Sequence, residues 1–286
     1  MTLVVSQAQL RILPRDPRGN LEKARAFARE AAARQSTLLC FPEMFLTGFS
    51  WAWNQAHLGE QEGHLQALKA VARDFRLFLS GSLLYPGEGG KPANAHFLLG
   101  PQGEVLARYD KVHLFSLFRE ERHVAPGGLR VLAAPPWGKT GLAVCYDVRF
   151  PELFRAYALE GAVLFLCPAA FPYPRREPWR VLGRARAIEN LCFFVGTNAV
   201  GPEEPSGGGV TYFGTSLAAG PQGELLAEGG EEGEALLTSE LDLRRVEEAR
   251  RQIQVFRDRR PEVYGPLHPG REGKGVAHPG EKDFSR

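Results

Sequence analysis

An α/β protein whose sheets mix parallel and antiparallel strands is what this sequence predicts. Three observations lead there. Apolar runs of four to eight residues read as buried strands. Stretches rich in Ala, Arg and Glu, with apolar residues three to four apart, fall between several of those runs and read as amphipathic helices. Two Gly-Pro-Gln-Gly turns, at residues 100–103 and 220–223, each follow one strand and precede another, which adds hairpins.

Taken in order, residues 3–9 form the first strand. Residues 18–35 form a helix with Leu21, Ala24, Phe27, Ala28 and Ala31 on one face. A strand at 37–41 follows, then a helix at 62–74 carried by Leu65, Leu68, Val71 and Ala72. Strands at 77–84 and 93–99 lead into the first Gly-Pro-Gln-Gly turn, and another strand is expected at 141–145. Residues 151–160 open with Pro-Glu, a favourable first helical turn, and are stopped by Gly161. A strand at 163–168, a helix at 179–191, and strands at 192–198, 215–219 and 235–241 complete the pattern. The likeness of the two turns hints at an internal duplication. One domain is expected over residues 1–264. Residues 265–286, rich in Gly, Pro and charge, are expected to form a tail, flexible or laid on a partner subunit.

Composition excludes several classes of function. The 286 residues are 44% hydrophobic and 24% charged, as in an ordinary soluble globular protein. Thirty-five basic residues stand against thirty-three acidic ones, so no bulk attraction to nucleic acid or anionic membrane is expected. The first residues carry neither a basic leader nor a long apolar core, and no run reaches eighteen apolar residues. The four cysteines, Cys40, Cys145, Cys167 and Cys192, have neither metal-ligand nor disulfide spacing. A cytoplasmic, reduced protein without metal or other cofactor is expected.

Three apolar runs each join a chemically active residue: Glu43, Lys111 and Cys145. A carboxylate, an ammonium and a thiol delivered from strand ends can share one pocket. There they supply the base, the oxyanion stabiliser and the nucleophile of acyl transfer. Each has a plainer reading. Cys145 is an ordinary buried thiol by residue type, as Cys40, Cys167 and Cys192 are. Its context differs, because Tyr146-Asp147 breaks the run and Pro151-Glu152 starts a helix, the strand-turn-helix layout that presents a nucleophile. Glu43 reads equally as a first-turn or loop carboxylate, and Lys111 as a solvated charge.

The same segments resemble the nitrilase superfamily of carbon–nitrogen hydrolases, whose members use a Glu-Lys-Cys triad. The matching stretches are Phe41-Pro42-Glu43-Met44-Phe45 with Thr47-Gly48-Phe49, Asp110-Lys111-Val112-His113-Leu114-Phe115, and Cys145-Tyr146-Asp147-Val148-Arg149-Phe150-Pro151-Glu152-Leu153. Residues 184–190, 212–216 and 255–264 extend the match in the family's order. The last stretch, with residues 145–153, resembles the branch of small-acid amidases, which includes ω-amidase and the amidase of deaminated glutathione. The resemblance implies a four-layer α-β-β-α sandwich of two facing mixed sheets and a homodimer or higher oligomer. It also implies Glu43 as base, Cys145 as nucleophile, Lys111 with the Tyr146 N–H at the oxyanion, and Glu120 as a second glutamate orienting Lys111 or the amide.

Substrate-binding candidates are Arg149, Phe171 and Arg180. Arg149 could bind a substrate carboxylate or pair with Glu152 at i+3. The basic, proline-stiffened stretch 172–177, with Arg175 and Arg176, is expected near the mouth of the Cys145 pocket, where it would either read substrate charge or face solvent paired with Glu177. Pro178 and Arg180 depart from the His-Trp-Glu pattern common before the helix at 184–190, which bears on acyl specificity and leaves the triad untouched. His113 is expected to serve packing and a backbone hydrogen bond, and Asn190 and Asn198 to be structural. The expected reaction is hydrolysis of a small linear, carboxylate-bearing amide through a cysteine thioester. The alternatives are an N-carbamoyl amino acid hydrolase, a nitrilase, a non-catalytic binding protein on the same fold, or a redox sensor built on Cys145.

Overall fold

The computed structural model describes residues 1–87, 90–203 and 209–264. Two compact units are distinguished, Met1–Ile253 and Gln254–Arg286. Of the second, residues 254–264 hold a turn and a short helix, and the expected tail from residue 265 lies outside the described residues.

The first unit is built on two six-stranded sheets. Strands β1 Thr2–Gln9, β2 Leu38–Cys40, β3 Phe78–Pro86, β4 Pro92–Leu99 and β5 Val105–Asp110 come first in the chain. Then come β6 Leu132–Ala133, β7 Thr140–Leu142, β8 Leu164–Ala169, β9 Phe193–Asn198, β10 Val200–Pro202, β11 Thr211–Phe213, β12 Leu217–Ala219, β13 Leu225–Glu228 and β14 Ala235–Asp242. One sheet runs β14-β1-β2-β3-β4-β5, the other β13-β12-β9-β8-β7-β6, and β10 pairs with β11 alone. In each sheet three successive strands are parallel, β1-β2-β3 and β7-β8-β9, and a hairpin then extends it antiparallel.

Parallel neighbours require crossovers, and helices supply them. Helices α1 Pro17–Ala33, α2 Trp51–Ala56 and α3 Gln61–Phe75 belong to the first half of the chain. Helices α4 Pro151–Leu159, α5 Arg176–Asn190 and α6 Arg244–Gln252 follow, with α7 Pro261–Tyr264 in the second unit. Asp16 caps α1 by accepting the Gly19 N–H at 2.9 Å, and Pro17 pre-sets its first turn. The buried face of α1 is Asn20, Ala24, Ala28 and Ala31, small enough for the helix to lie close against its sheet. Helices α1 and α3 cover the first sheet, and α4 and α5 cover the second. The bare faces of the two sheets meet, which gives the expected four layers.

Polar bridges fix the meeting of the sheets. The Gln7 amide on β1 donates to the Gly196 carbonyl on β9 at 2.9 Å. His96 on β4 sits between the Ser80 hydroxyl (2.8 Å) and the Ala143 carbonyl just beyond β7 (3.0 Å). Burial drives the His96 pKa down to about 3, so the ring is neutral and its two nitrogens act as one donor and one acceptor.

The likeness of the two Gly-Pro-Gln-Gly turns extends to their structure. The β4–β5 and β12–β13 hairpins share one geometry: Gly103 and Gly223 have φ of 80° and 81°, and Glu104 and Glu224 accept the N–H of Gln102 and Gln222. Among the described residues no helix is long and apolar enough to cross a membrane.

Candidate active site

Four buried side chains converge where strands leave the sheets: Glu43 after β2, Lys111 after β5, Glu120 in a 3₁₀ turn, and Cys145 after β7. The carboxyl ends of parallel strands are where open α/β sheets place ligands.

Each segment is held locally. Phe41 and Phe45 stack with centroids 4.6 Å apart, and Met44 takes a left-handed φ of 51° with its N–H on the Ser82 hydroxyl. That tight turn faces Glu43 inward. Lys111 keeps the register of β5 through its N–H on the Asn94 carbonyl, 2.9 Å. Its own carbonyl accepts the Gly127 N–H, where a Cβ would meet the Asp110 carbonyl oxygen at 2.0 Å. Only glycine allows that approach.

Lys111 Nζ donates to Glu43 Oε1 at 2.8 Å and to both oxygens of Glu120 at 3.0 and 2.9 Å. Asn94 Nδ2 donates to Glu43 Oε1 at 2.7 Å and to Glu120 Oε1 at 3.3 Å. The Ala170 N–H reaches Glu43 Oε2 at 3.1 Å, and the Phe115 N–H reaches Glu120 Oε2 at 2.7 Å. Burial pulls the Lys111 pKa down, but Glu120 and Glu43 outweigh it and hold the ammonium charged well above its ordinary range. Of the two glutamates in the stretch 119–122, Glu120 is the one turned inward, and Glu121 is exposed.

The strand expected to run to Cys145 ends at Leu142, and Cys145 instead opens a 3₁₀ turn with a left-handed φ of 47°. That conformation is strained for a non-glycine residue and clusters at functional sites. Asp147 holds the turn together. Its Oδ2 accepts the Val144 N–H (2.8 Å) and the Tyr109 hydroxyl (2.8 Å), and its Oδ1 accepts the His113 N–H (3.0 Å). His113 Nδ1 lies 2.7 Å from the same oxygen, so the histidine partner is a carboxylate and not the backbone group expected; its ring stacks on Phe150. Tyr146 lies in the first turn of this segment, where N–H groups have no intrahelical acceptor.

The Cys145 thiol meets the Glu43 carboxylate and the Ala170 N–H. Burial and the Glu43 charge push its pKa well above the ordinary thiol value, and Lys111 and the Ala170 N–H only partly oppose them. The resting sulfur is therefore protonated, with a carboxylate beside it to take the proton.

These groups floor a cavity of about 310 Å³, at the small end of ligand pockets. Phe49, Trp51, Phe115, Phe118, Phe171 and Val210 supply apolar wall. Arg149 and Arg175 supply guanidinium groups, over the Phe171 and Phe115 rings respectively, each at 5.8 Å. The Arg149–Glu152 pair considered above is absent among the described ion pairs.

Arg180 is a correction. It does not line the cavity among the described residues; its guanidinium holds Glu228, and Glu177 at 3.1 Å, on the side of α5 facing β13. Arg176 likewise turns away, to Glu231 at 3.2 Å. Asn198 is structural in the sense expected, clamping Phe171 through its N–H (2.6 Å) and carbonyl (3.2 Å).

Asn94 and Asp147 escaped the sequence reading as members of this network. The signal for Asn94 was present: with His96 it is one of two polar side chains in the run 93–99, on a strand buried along its whole length.

The carbon-nitrogen hydrolase family profile matches residues 4–251. The chain is 31% identical over 271 residues to omega-amidase NIT2 of Homo sapiens, covering 92% of this chain and 96% of that protein. It is 31% identical over 266 residues to the 2-oxoglutaramate amidase of Bacillus subtilis (strain 168), covering 92% and 100%. Among solved structures it is similar to a mutant of the amidase from Nesterenkonia sp. AN1 that shows covalent addition of the acetamide moiety of fluoroacetamide at the active site cysteine. That likeness has a TM-score of 0.82 at 30% identity and covers 92% of this chain and 95% of that one.

Proposed function

Because the chain belongs to the carbon–nitrogen hydrolase family, we propose that it is a cysteine-dependent amidase that hydrolyses a small linear amide bearing a carboxylate, through a thioester on Cys145. The observation that carries this reading is the convergence of a protonated thiol, a carboxylate and a charged ammonium in one small cavity.

In this reading Cys145 attacks the amide carbon as its proton passes to Glu43. With Glu43 and Glu120 ionised and Lys111 protonated, the cluster carries one net negative charge. Sulfur-to-Glu43 proton transfer leaves that charge unchanged, whereas losing the proton to solvent would bury a second one. The oxygen of the tetrahedral intermediate takes its negative charge beside Lys111 and the Tyr146 N–H. As the C–N bond breaks, Glu43 returns the proton to the departing nitrogen and ammonia or an amine leaves. Glu43 then takes a proton from water, whose oxygen attacks the thioester carbon. The C–S bond breaks, the sulfur regains its proton, and a carboxylic acid is released. Glu120 holds Lys111 charged and aimed throughout.

The substrate class follows from the cavity and the relatives. Its volume suits a short chain, its aromatic walls suit methylenes, and the exposed guanidinium of Arg149 suits a carboxylate. Two relatives are named for ω-amide and 2-oxoglutaramate hydrolysis. The test is ammonia release from ω-amides of short dicarboxylic acids, N-carbamoyl amino acids and nitriles, with intact-mass detection of the acyl-enzyme. Turnover confined to N-carbamoyl compounds or nitriles would reject the substrate class, and turnover without an adduct on Cys145 would reject the mechanism.

A further inference from the structure

Three arginines lie close together at the start of α5, and the structure treats them differently. Arg176 pairs with Glu231 at 3.2 Å, and Arg180 pairs with Glu228 and Glu177. Arg175 faces the Cys145 cavity, and among the described residues no carboxylate lies within ion-pair range of it. Its contacts are the Phe115 ring at 5.8 Å and the Tyr173 carbonyl at 3.3 Å from one guanidinium nitrogen. Glu203, the carboxylate on the neighbouring wall, is engaged by the Tyr212 hydroxyl.

The position of Arg175 is built. Its N–H bonds the Pro172 carbonyl at 3.1 Å, and its carbonyl accepts the Trp179 N–H at 3.1 Å. Trp179 is fully buried and donates its ring N–H to the Thr215 carbonyl at 2.9 Å. Tyr173 is tied to Thr211, and Pro172 bridges to Tyr212. The guanidinium is half-buried on a fixed backbone, and a second guanidinium that lines the same cavity, Arg149, is also laid over an aromatic ring. Among the described residues neither guanidinium is in an ion pair with a carboxylate, and an occupant with two anionic groups would give each a bidentate partner.

Resting on the amidase reading above, we infer that the acyl part of the substrate carries two carboxylates, one read by Arg149 and the other by Arg175. The cavity thus selects monoamides of acids bearing two further carboxylates over those bearing one.

The test uses the full chain and two readouts. In the first, glutarate and propane-1,2,3-tricarboxylate compete with chloroacetamide for access to Cys145. The tricarboxylate should protect at roughly tenfold lower concentration, the worth of one further charge-assisted contact. In Arg175→Gln that gap should close. Arg175→Lys, which keeps the charge without the planar fork, should retain part of it, and Arg180→Gln should retain all of it. In the second readout, the ratio of kcat/KM for the monoamides of the same two acids should fall by the same factor in Arg175→Gln. Equal protection by both acids in the wild type, or a gap that survives Arg175→Gln, overturns the inference. Absence of ammonia from both monoamides, with the Arg175-dependent protection intact, instead overturns the amidase reading and leaves the second carboxylate site standing.

Discussion

Replacing Lys111 by Met separates catalysis from stability in a way that tests the whole cluster. The stem keeps its length and packing, but the ammonium that donates to three carboxylate oxygens at 2.8–3.0 Å is gone. Glu43 and Glu120 are then left buried with Asn94 as their shared donor. Breaking a buried ion pair on one side costs about 3–5 kcal/mol, because the partner charge stays behind. For a chain of this size that corresponds to a fall in Tm on the order of 10 °C. Losing an oxyanion donor should also lower kcat by about a hundred- to a thousandfold. The double variant Lys111→Met/Glu120→Gln removes one of the stranded charges. It should recover most of the stability, measured by urea denaturation, and none of the kcat, measured by ammonia release. Three results would refute the reasoning: wild-type stability in the single variant, recovery of kcat in the double, or an effect confined to KM, which would assign Lys111 to ground-state binding.

Cys145→Ala should abolish turnover with the fold retained, and the wild type should show an acyl adduct on Cys145 by mass spectrometry; full activity in the variant would sink the mechanism. His96 sets an acid limb to stability. Its pKa is depressed from 6.5 to about 3, so its contribution is complete above pH 6.5 and declines as pH falls toward 3, by up to ~1.4 kcal/mol per unit. Urea midpoints between pH 7 and 4 should fall less steeply in His96→Asn; identical slopes would contradict the buried neutral ring. The chain is expected to form at least a dimer, partly from the family resemblance and partly from the apolar residues of the segment Ile253-Gln254-Val255-Phe256, of which Ile253 is exposed. Sedimentation as a monomer across micromolar concentrations would reject that.

The fold was legible where burial wrote a period into the residues, and obscure where tertiary contacts alone decide. Helices α1 and α3 carry apolar stripes and could be read directly. Helix α6, Arg-Arg-Val-Glu-Glu-Ala-Arg-Arg-Gln, buries only Val246 and Ala249, too little for a stripe. Strands β10 and β11 are three residues each and exist because they pair with one another. The catalytic candidates were legible because a charged or reactive group interrupts an apolar run. Their partners were not, since nothing in the run 93–99 says that Asn94 faces Glu43 across fifty-one residues. Arg180 failed for the same reason: a guanidinium at a helix start carries no sign that Glu228 waits on the neighbouring strand.

The two halves of the chain divide the chemistry unevenly. The first contributes Glu43, Lys111 and Glu120, and the second contributes Cys145 with the Ala170 N–H. The link between them passes through Leu129, an exposed residue before β6. A polypeptide opened there yields one piece with a base and no nucleophile, and another with a nucleophile and no base. Hydrolysis by such a pair would register the re-docking of two sheets, which makes the enzyme a gauge of its own assembly.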